Sequence, residues 1–372
     1  MQSRTPDRPA SFWADLGFLV VLGLLLAAPL WAPLVLPAGQ ASGENRRLAE
    51  LPAPGAPGEW KNFPPAFDRY VQDHFPLRLG LVRWMYRLRV QVFGETVFPS
   101  VVVGKEGWLY FTGEGNMDTY QQTEAYSPRR LEVIISTLRR LQKSLERQGI
   151  VFWVVITPAK ESIYSPYLPD YIRPLGAQSK LDALAGRLES EPDLHVLDLR
   201  QPLVAARQAG QQVFYRTDTH WNDLGAFIAY QQIMQALASD RPDLQPHPLA
   251  DFKLVQGEWQ GDLARTFLLG VVPPETTLEL APTFSRQAGL TQPDMADVEY
   301  TSPLGPDAPV LLIFGDSFMG NLTPFLAEHF GRTLWKSQHT VDLELIRKVQ
   351  PQVVIYGLNE RYLDALQDNL AP

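Results

Sequence analysis

The sequence predicts an α/β protein, a mainly parallel sheet with helices on both faces, preceded by an N-terminal transmembrane helix. Three observations carry this expectation. From Ser127 onward, apolar runs of strand length alternate with helical periodicities, the pattern of a parallel sheet covered on both sides. The runs Ile150 to Ile156 and Val310 to Phe314 are almost continuously apolar, as strands buried on two faces are. Leu16 to Leu36 carries no charged residue, and its length matches the ~20 residues that cross a bilayer as a helix.

The N-terminal elements follow from charge and composition. Arg4 and Arg8 precede the apolar segment and bias residues 1–15 toward the cytoplasm, which sends the body of the chain outside. Residues 16–36 read as a transmembrane anchor with Trp31 near the outer interface. The alternative is a cleaved signal peptide, with Gly39-Gln40-Ala41 as a small-residue processing site. The run is longer than a usual signal core, which favours the anchor; either way the protein is exported. Residues 37–58 are rich in Pro, Gly and Ala and form a linker. Residues 59–126 are a helical and hairpin lead-in packed on the main domain. Leu81, Trp84, Met85, Leu88 and Val92 share one face of a helix over Leu77 to Val92, a stripe expected in the core. Val101 to Tyr110 reads as a hairpin around a Gly-bounded turn.

Residues 127–372 are the candidate catalytic domain. Ser127-Pro128 opens a helix with serine as N-cap and proline in the first turn, and Gly149 ends it. A strand at Ile150 to Ile156, a helix at Leu181 to Leu188, a strand at Val196-Leu197 and a helix from Asn222 to about Ala238 follow. Strands are then expected at Val310 to Phe314, Thr333 to Trp335 and Val353 to Tyr356, with helices at Leu322 to Phe330 and Leu343 to Val349. Leu268 to Ala308 breaks the rhythm and is expected to be an excursion or lid-like insertion.

Composition narrows the chemistry. Hydrophobic residues make up 45% of the 372, enough for a sizeable core. A net charge of −8 leaves no basic stripe for nucleic acid. The absence of cysteine excludes disulfides, thiolate metal sites and cysteine nucleophiles.

In open α/β sheets, ligands bind beyond the carboxyl ends of the strands. Four polar clusters fall at such places: Thr157 to Glu161, Asp218 to Asn222, Gly315 to Ser317 and Gly357 to Arg361. A serine delivered by a buried strand, with Asp218 and His220 elsewhere, is the raw material of a serine nucleophile and its base. Asp218 and His220, two apart in an extended segment, would point the same way. Ser317 alone could instead cap the following helix, as could Asp218 or Asn222 theirs. Asp316 is expected to fix its turn through backbone hydrogen bonds. A divalent-metal site on Asp218, His220 and Asp316 is the competing chemistry, disfavoured by the lack of a second nearby histidine.

The Gly315-Asp316-Ser317-Phe318 block resembles the nucleophile block of SGNH (GDSL-like) hydrolases, where the serine comes early and the Asp/His pair late. The reversed order here, with Asp218-Thr219-His220-Trp221-Asn222 first, is similar to the alginate O-acetyltransferase family of the AlgJ/AlgX type. Glu44-Asn45-Arg46, Phe63-Pro64, Asp73 to Arg78, Gly107 to Tyr110, Pro158-Ala159-Lys160 with Tyr164, Gly261-Asp262-Leu263 and Glu360 to Leu363 extend the resemblance over about residues 44 to 366. It implies an SGNH hydrolase-like three-layer α/β/α domain, with Ser317 as nucleophile, His220 as general base and Asp218 as its partner. Lys160, Tyr164, Arg216, Trp221, Asn222, Asp316 and Arg361 are the weaker candidates for substrate binding. No cofactor is implied.

The resemblance further implies a bacterial inner-membrane protein with its catalytic domain in the periplasm. It would take acetyl from a membrane-bound acyltransferase and acetylate a polysaccharide acceptor. The net charge gives no support for a strongly polyanionic acceptor such as alginate, so a neutral or cellulose-like polymer stays open. Two other readings remain: a carbohydrate acetylesterase with the same triad, and a non-catalytic glycan-binding scaffold of the export complex.

Overall fold

A computed structural model gives the structure of the protein; it describes residues 10–27, 48–53, 61–75, 77–98, 100–293, 297–305 and 307–368. The strands are β1 (Val97–Phe98), β2 (Val101–Val103), β3 (Leu109–Phe111), β4 (Val151–Thr157), β5 (Val196–Asp198), β6 (Phe252–Trp259), β7 (Glu275–Pro282), β8 (Gly289–Pro293), β9 (Asp297–Thr301), β10 (Val310–Gly315), β11 (Arg332–Ser337) and β12 (Val353–Asn359). Seven of them form the central sheet in the order β5-β4-β12-β10-β11-β9-β8. β5, β4, β12, β10 and β11 run parallel, whereas β9 and β8 join antiparallel at one edge.

Period-two alternation along the strands builds two cores. Leu311 and Ile313 of β10 and Val155 of β4 face one side, under Phe227, Tyr230 and Met234 of the helix Asp223–Asp240 and Phe318 and Leu322 of the helix Ser317–Leu326. Leu312, Phe314, Phe152, Val154 and Ile156 face the other, under Ile134, Leu138 and Leu145 of the helix Pro128–Glu146 and Leu181 and Leu184 of Lys180–Leu188. The expected α/β domain therefore forms, with a mixed sheet. Local signals hold as well: the Ser127 side chain accepts from the Arg130 N–H, and Gly149 takes a left-handed φ of 74° past the helix end.

Three expectations outside the site differ from the structure. Leu268 to Ala308 is not an irregular excursion, because it supplies β7, β8 and β9. Its strands pair antiparallel at an edge or in the two-stranded β6-β7 ribbon, so they lack the continuous apolar runs of the central strands. The helix expected at Leu322 to Phe330 spans Ser317–Leu326, followed by a 3₁₀ turn at Ala327–His329. The stripe on the helix Arg78–Arg87 is not core: Leu81, Trp84 and Met85 are exposed, and this helix buries no residue.

The chain divides into two compact units. One comprises Met1–Glu95 with Leu268–Val271; the other comprises Thr96–Phe267 and Val272–Pro372 and holds the sheet. In the first, a helix spans Ala10–Leu26. No described helix is long and apolar enough to cross a membrane, and residues 28–36 of the expected anchor lie outside the described residues.

Candidate active site

β10 ends in the turn Gly315-Asp316-Ser317. Gly315 has to be glycine because a Cβ there would sit 2.4 Å from the Gly357 carbonyl oxygen of neighbouring β12. The N-cap of the next helix is Asp316, not Ser317: its Oδ1 accepts from the Phe318 N–H at 3.0 Å. Its Oδ2 accepts from the Asn359 N–H at 2.6 Å, which ties the turn after β10 to the end of β12. Ser317 is thereby released from capping and stands as the exposed first residue of the helix.

The segment carrying the Asp/His pair is a tight turn rather than the expected extended run. Phe214 and Trp221 bridge antiparallel, and the Tyr215 N–H donates to the His220 carbonyl at 3.3 Å. Within that turn Asp218 Oδ1 accepts from both the backbone N–H and Nδ1 of His220, at 3.0 and 2.7 Å. With the proton on Nδ1, Nε2 accepts from the Ser317 hydroxyl at 2.6 Å. Asp218, His220 and Ser317, drawn from two segments almost a hundred residues apart, thus form one continuous hydrogen-bonded chain at the carboxyl edge of the sheet.

The turn is held from three sides. Lys160, buried, donates Nζ hydrogen bonds to the carbonyls of Tyr215 (3.3 Å), Arg216 (3.2 Å) and Asp218 (2.6 Å). The buried carboxylate of Glu275 accepts from the Arg216 N–H (2.8 Å), the Thr217 N–H (2.7 Å) and the Thr217 hydroxyl (2.6 Å). The segment after β6 closes the third side: Trp259 Nε1 and the Asp262 N–H both donate to Asp218 Oδ2, at 3.1 and 2.9 Å. That contact depends on Gly261, where a Cβ would lie 2.2 Å from the Thr217 carbonyl group.

Of the weaker candidates, Lys160 lies under the turn, as described. Tyr164 and Trp221 sit in the core rather than at a pocket rim, and the Tyr164 hydroxyl donates to the Gln211 carbonyl and accepts from the Val213 N–H. Asn222 caps the helix Asp223–Asp240, accepting from the Gly225 N–H at 3.0 Å. Arg361 packs between the Phe111 and Tyr362 rings. Arg216 keeps a partly exposed side chain 3.6 Å from Glu275. The residues that sequence reasoning did not select are Trp259, Asp262 and Glu275. Only Asp262 carried a signal, in the Gly261-Asp262-Leu263 block; Glu275 lay in the stretch read as irregular.

The electrostatics follow from this packing. Burial alone would raise the Asp218 carboxyl, but the hydrogen bond and charge of His220, with the N–H groups of Asp262 and His220, outweigh it and hold the group well below the usual carboxylate range. Burial would lower His220, yet the hydrogen bond and charge of Asp218, with the charges of Asp262 and Asp316, outweigh that and raise it. Burial draws the Lys160 ammonium down to about 8. Among the described residues, the group with ligand spacing is Asp218, His220 and Asp262, whose donor atoms lie within 4.8 Å of one another, and Asp316 is not part of it. Both ring nitrogens of His220 are already committed to Asp218 and Ser317, so a cation there would have to displace them.

A mixed α/β sheet with an exposed serine at a helix N-terminus, in line with a histidine and an aspartate, defines the serine hydrolase-like acyl-transfer class. The comparisons with known proteins carry this further. The family model described as the SGNH hydrolase-like domain of acetyltransferase AlgX matches residues 101–341, and the chain belongs to that family. Its enzymatic activity is of the acyltransferase/esterase class. A protein of Pseudomonas syringae pv. tomato named "Probable alginate O-acetylase AlgJ" is 28% identical over 94% of this chain and 88% of its own length. The Pseudomonas putida protein of that name is 28% identical over 82% of this chain and 80% of its own. Among solved structures, Bacillus cereus PatB1 with a sulfonyl adduct shares the fold, with a TM-score of 0.53 at 16% identity, over 72% of this chain and 99% of that one.

Proposed function

We propose that the chain is a membrane-anchored periplasmic O-acetyltransferase that carries acetyl through Ser317 to hydroxyls of an exopolysaccharide. The observation that carries this reading is the Ser317–His220–Asp218 hydrogen-bond chain. Ser317 Oγ attacks the acetyl carbonyl of the donor while its proton passes to His220 Nε2. Of the first-turn N–H groups of the helix, those of Phe318 and Met319 donate to Asp316, which leaves that of Ser317 for the oxyanion. The tetrahedral intermediate collapses, the donor oxygen leaves with the proton from His220, and acetyl-serine remains. The acceptor hydroxyl then gives its proton to His220 and attacks the acetyl-serine, and Ser317 Oγ leaves and regains the proton. Asp218 keeps Nδ1 protonated throughout and stabilises the imidazolium.

The donor partner is a membrane-bound acyltransferase, and residues 16–36 hold the chain at the inner membrane beside it. The name of the Pseudomonas relatives favours alginate as acceptor; the net charge of −8 favours a less anionic polymer. One observation supports the esterase alternative: Ser317 is exposed, so water can reach the acetyl-serine.

The test is to incubate the full chain with an aryl acetate, with and without an oligosaccharide, and follow products by mass spectrometry. Acetylated sugar supports transfer, and free acetate alone supports the esterase. Ser317→Ala and His220→Ala are each expected to lower turnover by at least ~1000-fold while the fold is kept. An active Ser317→Ala protein refutes the nucleophile assignment.

A further inference from the structure

Asp262 is a second carboxylate at His220, brought there from a different segment. Its Oδ1 is fixed by the Thr219 N–H at 2.8 Å and the Thr219 hydroxyl at 3.3 Å. Its Oδ2 stands 3.9 Å from Nδ1 of His220, too far for a hydrogen bond but well within the reach of charge. The side chain keeps 32% of its surface open, where that of Asp218 keeps 5%.

The charge of Asp218 is already shared among four donors: the N–H and Nδ1 of His220, Trp259 Nε1 and the Asp262 N–H. When the serine proton reaches Nε2, the ring becomes a cation whose hydrogen-bonding partner is thus partly spent. We propose that Asp262 is a positioning residue that supplies the second negative charge the His220 imidazolium needs during acyl transfer. The proposal rests on the triad reading above.

The charged groups around the ring are Asp218 on its own turn, Asp262 after β6, and Asp316 at the end of β10. Lys160 lies beneath, on the Asp218 carbonyl, and Arg361 acts on Asp316 from beyond β12. Asp262 contributes to raising His220, after Asp218. Because a third of its side chain meets solvent, screening moderates that effect.

Asp262→Asn removes the charge, keeps an oxygen for Thr219 and leaves the backbone donor to Asp218 in place. In the full chain, kcat/KM for an aryl acetate should rise with pH through the His220 titration. The variant is expected to show that limb about one pH unit lower, with a plateau roughly 10-fold lower because the ring is a weaker base. A purely structural Asp262 would reduce the rate or Tm with the limb in place, and that result overturns the proposal. The His220 ring ¹⁵N titration, measured in Ser317→Ala with and without Asp262→Asn, reads the same charge effect without turnover: a downward shift supports the proposal, and coincident curves overturn it. Turnover by Ser317→Ala would sink the triad reading instead and leave the NMR comparison to decide on Asp262.

Discussion

Lys160 is a buried cation whose hydrogen-bond partners are three backbone carbonyls of one turn. Desolvation disfavours its charge, while Glu161, Asp218, Asp262 and Glu275 favour it. Those carbonyls belong to the turn that carries Asp218 and His220, so the ammonium holds the geometry of the candidate site. Lys160→Met takes the side-chain donor from the Tyr215 and Asp218 carbonyls, while the Arg216 carbonyl keeps the Leu109 N–H, at a cost of about 1–3 kcal/mol. Thermal unfolding should show the drop, and turnover should fall with it. A variant of unchanged Tm would show that the three hydrogen bonds contribute nothing net. Ser317 illustrates the converse at this scale: its hydroxyl is available because Asp316 takes over the cap.

At the scale of elements, the site is made where a turn, a helix start and a loop meet. The ribbon β6-β7 presents Trp259 and Glu275 from a register-matched pair at one end, and both reach the 214–221 turn from there. Gly261 lets the loop after β6 come within contact of Thr217 and Asp218. Gly261→Ala forces that loop outward and withdraws the Asp262 N–H and Trp259 Nε1 from Asp218. Misplacement of about 1 Å can cost ~100-fold in rate, so kcat should fall about that far, with a loss of roughly 1–3 kcal/mol in stability. Wild-type kcat in Gly261→Ala would show that the loop does not position Asp218.

For the whole molecule, β12 lies between β4 and β10, so the C-terminal strand completes the sheet and brings its polar end to the site. Glu360, just past β12, accepts from the Ala159 N–H after β4 at 2.8 Å and is buried. Burial pushes its carboxyl up to about 7. The folded chain therefore holds a proton that the unfolded chain releases near its ordinary, lower value. This contribution to stability is complete below about pH 4 and is lost as pH rises through about 7. Tm should accordingly fall between pH 5 and pH 8, and Glu360→Gln should flatten that slope. An equal slope in the variant would assign the pH dependence to other groups.

The order of elements and the residues of the candidate site were legible along the chain. Continuous apolar runs mark β4, β10 and β12 because parallel strands must be covered on both faces. Ser127-Pro128 and Gly149 mark a helix through purely local backbone chemistry. The Asp218–His220 pair and Ser317 stood out by their joint presence, since Ser317 or Asp218 alone would equally suit a helix cap. Tertiary structure alone decided the rest. The antiparallel strands β8 and β9 at one side of the sheet have no continuous apolar run to announce them, the cap at Asp316 depends on where the helix begins, and Glu275, Trp259 and Asp262 reach Asp218 or its turn only after distant segments pack together. Burial, hydrogen-bond partners and the proximity of a second carboxylate to His220 are properties of that packing, and residue spacing along one chain does not encode them.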